Sequence, residues 1–124
     1  MSYQSAYTGA QLDNGAVVES GSNANGKFTR WADGTLICTH TLVPDNPDIA
    51  IGSLFRGAET AWTFPYAFVG NPSIFGMPVN GTAYLWVVKG ATAASTTIGY
   101  FALMSATTTT QTPSTAMTAI GRWK

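Results

Sequence analysis

Hydrophobic positions along this chain fall in short runs rich in β-branched and aromatic residues, and glycine, asparagine and proline separate the runs. No window keeps apolar residues at the i, i+3, i+4, i+7 spacing of an amphipathic helix, whereas such short runs are typical of β-strands. The pattern therefore predicts an all-β domain. The predicted strands are residues 16–19, 27–31, 35–42, 60–64, 73–78, 83–88, 96–104 and 116–123.

Tight turns between these strands are marked by four dipeptides that end in glycine. The dipeptides are Asn14-Gly15, Asn25-Gly26, Asp33-Gly34 and Asn80-Gly81. Glycine adopts a positive φ without a Cβ clash, as tight hairpins require. Two longer stretches, residues 43–58 and the threonine-rich 107–113, are predicted to be loops.

The predicted strands differ in how their side chains alternate. Residues 35–42 alternate apolar residues with threonine, which is typical of a strand with one buried and one wet face. Residues 83–88 and 96–104 instead carry apolar side chains on both faces. Since a sandwich of this size has one interior, we expect another copy of the chain to cover the second apolar face.

The composition indicates one folded domain without a nucleic-acid partner. The 124 residues are 45% hydrophobic, 12% aromatic and only 10% charged, where soluble domains average about 25% charged residues. Six basic and six acidic residues cancel. We therefore expect no basic surface of the kind that binds phosphates.

The sequence also lacks the marks of membrane insertion and secretion. Its best apolar run, residues 84–88, stops at Lys89 and is far shorter than the roughly 20 residues that span a bilayer. The N-terminus does not open with the basic and apolar regions of a signal peptide, so we expect synthesis in the cytoplasm. Cys38 is the one cysteine, which precludes an intrachain disulfide and suits a reducing compartment.

Few side chains suggest catalysis or metal binding. His40 is the single histidine, and we expect it to pack in the domain; the alternative is a metal held by symmetry copies of His40. Asp45 and Asp48 lie in a proline-rich stretch typical of turns. A glycosidase pair of Asp48 and Glu59 and a calcium-binding site at residues 45–48 are further alternatives, but the sequence contains no motif specific to either site. We expect no enzymatic activity and no cofactor.

Residues 14–38 contain Gly-Ser-Asn-Ala-Asn-Gly, then Trp-Ala-Asp-Gly-Thr and a cysteine-containing strand. This segment closely resembles a stretch common in bacteriophage and prophage tail-fibre proteins. Residues 62–68, 72–74 and 119–123 look like the rest of the same receptor-binding tip domain. This latter part is also similar, more weakly, to the H-type lectin fold.

The resemblance implies a small antiparallel β-sandwich, H-type-lectin-like, that assembles as a homotrimer. It implies a non-enzymatic host-attachment module of a phage or phage-like particle that recognises a bacterial surface glycan. The expected location is the virion, in a tail fibre or spike made in the host cytoplasm, with other virion tail proteins as partners. The alternative is a purely structural fibre or decoration subunit, and a depolymerase would need a longer chain with converging carboxylates.

The resemblance covers residues 14–124, which are predicted to form the single tip domain. Tail-fibre chains normally carry an attachment region and a shaft before the tip. Residues 1–13 are expected to be an N-terminal anchor of a small spike protein or a disordered arm, and a stand-alone tip or accessory subunit is the alternative to the spike.

A glycan site is predicted on loops at one end of the sandwich, at the boundary between subunits. Aromatic rings bind the C–H faces of neutral sugars, and amide and hydroxyl groups hydrogen-bond their hydroxyls. If the loops around 65–72 and 107–110 lie at the same end, a groove between them would hold one or two sugar units; the alternative is that Tyr66 merely packs and the threonines only connect strands. The predicted ligand-binding residues are Tyr66, Asn71, Thr107, Thr108, Thr109 and Thr110.

Overall fold

The computed structural model describes residues 16–124, which form ten β-strands and no helix. No segment of this described part is a helix long and apolar enough to cross a membrane. The predicted anchor or arm, residues 1–13, and the predicted turn at Asn14-Gly15 lie outside the described residues. The strands are β1 (Val17–Asn23), β2 (Gly26–Trp31), β3 (Thr35–Leu42), β4 (Ile49–Ile51), β5 (Leu54–Arg56), β6 (Thr60–Thr63), β7 (Ser73–Pro78), β8 (Trp86–Lys89), β9 (Ile98–Ser105) and β10 (Thr115–Arg122).

The all-β prediction is confirmed, and each predicted strand is present. Residues 35–42 and 73–78 have the predicted bounds, and the other strands are shifted by up to four residues at their ends. The prediction of a plain loop over residues 43–58 is wrong, because the hairpin of β4 and β5 lies within it. Each of these strands has only three residues, which is too short for a clear alternation of side chains. Gly52, with a φ of 60°, lies in the turn between them.

The strands form two antiparallel sheets of five strands each. The first sheet has the order β1-β2-β3-β10-β7, and the second is organised around β9. Met104 of β9 is paired with Arg56 of β5 on one edge and with Trp86 of β8 on the other. β6 pairs with the earlier half of β9, and β4 extends the sheet beyond β5.

The core between the two sheets is built around a row of aromatic rings. Trp62, Phe64 and Phe68 make successive edge-to-face contacts with centroids 5.1 and 5.2 Å apart, a preferred aromatic geometry. Buried side chains of the first sheet, among them Leu36 and Met117, pack against this row. Because hydrophobic burial is the main driving force for folding, these rings account for how a chain with so few charges folds.

Strand β9 is buried on both faces within a single chain. Phe101 belongs to the core, while Ala102 and Met104 on the outer side are only 4% and 9% exposed. Val88 and Trp86 lie directly opposite them in the sheet, and side chains in such pairs shield each other. The expectation that another copy must cover the second face of residues 96–104 is therefore wrong.

The turn at Gly34 joins β2 to β3 and fixes the C-terminus. Gly34 has a φ of 100°, and its carbonyl accepts a hydrogen bond from the Trp123 backbone at 2.9 Å. The Arg122 guanidinium donates to the Asp33 carbonyl at 2.7 Å. A Cβ at Gly34 would displace that flexible guanidinium, and the positive φ is the reason that glycine is required here.

We predict that Gly34→Val lowers the free energy of unfolding by about 1–3 kcal/mol, because valine is forced into a positive φ. Gly70→Val is the matched control, since a Cβ there meets nothing within 4 Å and its φ is ordinary; we expect a change within about 0.5 kcal/mol. Urea unfolding of both variants measures the difference. Equal stability of the two would contradict the strain at Gly34, and normal assembly with lost receptor binding would make this hairpin a recognition loop.

We predict that Cys38 is unreactive in the folded protein. The side chain is fully buried, and its burial raises the pKa of the thiol to about 11, so little nucleophilic thiolate forms at neutral pH. A chromogenic disulfide reagent at pH 8 should label the native chain at least roughly 100-fold more slowly than the chain in denaturant. Comparable rates would show that β3 opens readily.

Candidate functional site

The six residues predicted to bind ligand lie at opposite ends of strand β9. The connection that carries Tyr66 and Asn71 is bonded to the residues just before β9, since the Phe68 backbone donates to the Thr96 carbonyl at 2.9 Å. Residues 107–110 follow the last residue of β9. Eight extended residues separate the two ends by roughly 24 Å, so the single groove expected between the two loops does not form.

Tyr66 packs against other side chains of the domain. Its ring lies 5.1 Å from the Phe28 ring and 4.9 Å from the Arg30 guanidinium, which also lies over the Trp123 ring. Arg30 is held in turn by an ion pair with Glu19 at 2.7 Å. Asn71 is exposed nearby. Ligand binding by Tyr66 and Asn71 stays a prediction, but the Tyr66 ring is already engaged in packing.

Residues 43–48, 79–85 and 106–114 meet at the other end of β9, and we call this surface the loop end. The amide of Asn46 donates to the Thr109 carbonyl at 2.8 Å, and the Thr109 backbone donates to the Pro47 carbonyl at 3.3 Å. Pro44 and Pro47 are themselves fully buried. The threonine loop is therefore bound to a fixed neighbour on this side.

Gln111 fixes the threonine loop on its other side. Its side-chain oxygen accepts hydrogen bonds from the Thr82 and Ala83 backbones at 2.9 and 3.1 Å, and its amide donates to the Thr82 hydroxyl at 2.8 Å. The Asn80 side chain also accepts a bond from the Ser114 backbone at 2.9 Å. These bonds hold residues 79–85 against residues 106–114, so the loop end is a preformed surface.

A polar groove of about 420 Å³ crosses the loop end. Three of the predicted threonines line it together with an amide and a carboxylate, so the groove offers hydroxyl, amide and carboxylate groups for hydrogen bonds. Thr107 lies next to it, and its backbone donates to the Ser105 hydroxyl at 3.2 Å. The lining residues are Asn46, Asp48, Thr108, Thr109 and Thr110.

Tyr84 is an exposed aromatic residue at the loop end that the sequence reasoning placed in a strand. Its side chain is 95% exposed, because residues 81–85 precede β8 as an irregular connection. The asparagine-glycine turn just before Tyr84 was the available signal, since a turn there leaves few residues for a strand. From the sequence, Asp48 is assigned to a turn, with a carboxylate pair or calcium as alternatives, and Asn46 is not singled out.

The other candidate side chains have structural contacts. The half-buried His40 stacks on the Trp62 ring at 6.5 Å, and a metal shared by copies of His40 stays a prediction. Both carboxylate oxygens of Glu59 accept hydrogen bonds from Thr92, at 2.6 and 2.8 Å, which lowers the pKa of Glu59. Within residues 16–124, no three histidine, cysteine or acidic side chains converge as a metal site.

Two further depressions lie away from the loop end. An open one of about 540 Å³ runs over the outer face of the first sheet, beside Thr39, Thr41 and Thr118. An apolar cleft of about 340 Å³ lies between β7 and β8, beside Ile74, Val87 and Tyr100. Neither combines an exposed aromatic ring with fixed amide and hydroxyl groups in the way that the loop end does.

Comparisons with known proteins connect this chain to a fibre by fold alone. No protein-family model matches the sequence, and a search of curated proteins finds no match. Among solved structures, the chain is similar to the P. aeruginosa R1 pyocin fiber comprising C-terminal residues 323-701, with a TM-score of 0.53 and 22% identity. The similarity covers 93% of this chain and 32% of that one. The chain thus spans about a third of the fiber fragment and shares the fold of that part.

Proposed function

We propose that this protein is a non-enzymatic receptor-binding module of a phage or phage-like particle, and that it binds a bacterial surface glycan at its loop end. The observation that carries the proposal is the preformed loop end, where hydroxyl and amide groups line a groove and an exposed tyrosine lies on the adjoining connection that Gln111 holds in place. The fold shared with part of a pyocin fiber supports a place in a fibre or spike. Other virion tail proteins are then its neighbours, and the host cytoplasm is where it is made.

The distribution of carboxylates favours binding over hydrolysis. Asp48 is the one acidic residue among those that line the polar groove, whereas glycoside hydrolysis ordinarily uses two carboxylates on either side of the bond. Glu59, the partner considered from the sequence, is engaged by Thr92. The groove is therefore suited to hold a sugar chain without cleaving it.

Exposed apolar side chains on both outer sheet faces support a homo-oligomer. Phe75 and Met77 project from the first sheet and are 53% and 70% exposed, and Ile51 and Trp86 project from the second and are 48% and 41% exposed. The two faces lie on opposite sides of the sandwich. A two-fold dimer that pairs one face with itself leaves the other uncovered. A head-to-tail arrangement uses both faces in every copy, and it forms a closed ring where the rotation between copies closes.

We propose that this ring is a homotrimer, the assembly that the tail-fibre and H-type lectin resemblance implies. Three copies would set three loop ends side by side, so weak binding by each would combine into strong attachment. A purely structural fibre or decoration subunit would also need the apolar faces, but it would not need the groove at the loop end. An adsorption assay therefore distinguishes the receptor-binding role from the structural one.

We predict that the double variant Thr108→Ala/Thr110→Ala reduces adsorption to host cells at least about tenfold, since each subunit loses two hydroxyls and avidity multiplies the loss. Both threonines are exposed, so the fold should persist. Fluorescent chain pulled down with bacteria of a susceptible strain measures adsorption. Ala93→Ser, on an exposed loop before β9, is the control that should change nothing.

The same assay separates the two ends of the domain. Asn71→Ala removes a predicted ligand group at the end opposite the loop end. If Asn71→Ala abolishes adsorption while the threonine variant adsorbs normally, the loop end is not the receptor site. If no bacterium binds the assembled protein at all, the structural role replaces the receptor-binding one.

We predict that the protein has a mass of about three times its 13.1 kDa chain in solution. Met77→Lys and Ile51→Lys change different outer faces, and each should dissociate the ring, because a buried unpaired charge is costly. Multi-angle light scattering at micromolar concentration measures the mass, with Ala93→Lys as the control. A stable monomer, or an oligomer that only one of the two lysine variants dissociates, would contradict the ring.

A further inference from the structure

A second groove lies at the loop end. It has a volume of about 330 Å³, and it is lined by Asn80 and Gly81 as well as by the apolar side chains of Val79, Tyr84 and Leu85. Thr109 is bonded to Asn46 of the polar groove, and Gln111 is bonded to the connection that bears Tyr84. Thr109 and Gln111 are two residues apart, at most about 7 Å in an extended chain, so the linings of the two grooves are bonded to neighbouring positions of one loop.

The two grooves together are complementary to the two kinds of surface that a sugar presents to a protein. A pyranose ring has an apolar face of C–H groups and a rim of hydroxyls. Tyr84, which is 95% exposed, offers an apolar ring face, and Asn46 and the threonines offer hydrogen-bonding groups. An oligosaccharide that lies across the Thr109–Gln111 segment meets both kinds of surface.

The charges at the loop end restrict which sugars fit. Residues 43–48, 79–85 and 106–114 contain the carboxylates Asp45 and Asp48 and no lysine or arginine. Arg122 and Lys124 lie at the opposite end, where Arg122 donates to the Asp33 carbonyl and Lys124 lies over Trp123. Arg56 lies beside Asp48, since its carbonyl accepts a hydrogen bond from the Asp48 backbone at 3.1 Å and its guanidinium donates to the Gly57 carbonyl at 3.2 Å. The two carboxylates outnumber this one guanidinium, so an acidic sugar at the loop end would meet a net like charge, which opposes binding.

We propose that the loop end selects uncharged or amino-bearing glycans, with Tyr84 as the stacking ring and Asp48 as the group that rejects acidic polymers. This inference rests on the proposed function and deepens it, because it names the class of glycan. Tyr84 then contributes through its ring face, and Asp48 through its charge. Substitutions at these two residues are therefore expected to change glycan binding in different ways.

The test uses the surface polysaccharide of a bacterium to which the assembled protein adsorbs. Anion exchange divides this material into an unretained fraction, which contains neutral and amino-bearing chains, and a retained acidic fraction. Each fraction competes with cells for fluorescent protein. We expect the unretained fraction to compete at least about tenfold better by mass, a difference that corresponds to about 1.4 kcal/mol.

Variants assign the selectivity to residues. Tyr84→Ala should weaken competition by the unretained fraction about tenfold, whereas Tyr84→Phe, which keeps the ring, should stay near the original value. Asp48→Asn should improve competition by the retained fraction severalfold, and added salt should reduce this gain, because exposed charges are screened. Ala93→Lys makes the same change in net charge at the opposite end of β9 and should leave the selectivity as it is.

The outcomes separate this inference from the proposed function. If the retained fraction competes better with the original protein, the inference is overturned while the receptor role stands. If neither fraction competes, the receptor is not a polysaccharide, and both proposals fail. If Tyr84→Ala dissociates the oligomer and leaves competition unchanged, Tyr84 belongs to a subunit contact, and the inference is again overturned.

Discussion

The row of aromatic rings from Trp62 to Phe68 is the interaction on which the rest of this structure depends. With 10% charged residues, the chain relies on apolar burial, and these rings fill the space between the two sheets. The Trp62 indole also donates to the Asn25 carbonyl at 2.9 Å, so the turn between β1 and β2 is bound to the second sheet. The same core aligns β9, and β9 sets the positions of the loops at both ends.

Hydrogen bonds from side chains to backbone then convert the loops into fixed surfaces. Gln111 and Asn46 bind the threonine loop to its neighbours on either side, and Glu59 does the same for the loop at Thr92. Loops fixed in this way lose little conformational entropy on binding, which favours affinity. The fold shared with part of the pyocin fiber and the proposed attachment role both fit a rigid sandwich that presents such loops in several copies.

The strands and turns of this fold were accessible from sequence because their signals are local. Alternation in residues 35–42 and the Asp33-Gly34 turn need only neighbouring residues to be recognised. Predicting that Tyr66 and Thr109 lie at opposite ends would have required the strand order, because a loop lies at the end of the sheet where its flanking strands begin and end. The burial of Ala102 beside Val88 likewise depends on a pairing that distant segments create, so sequence alone overstated the need for a second copy.

The most direct test of the central claim is the structure of the assembled protein with host surface polysaccharide bound. The account predicts a trimer with sugar density at each loop end, one ring against Tyr84 and hydroxyls within hydrogen-bonding distance of Thr108 or Asn46. Sugar density beside Asn71 or across an outer sheet face would contradict it, as would a particle-bound protein that leaves its loop ends buried against other subunits.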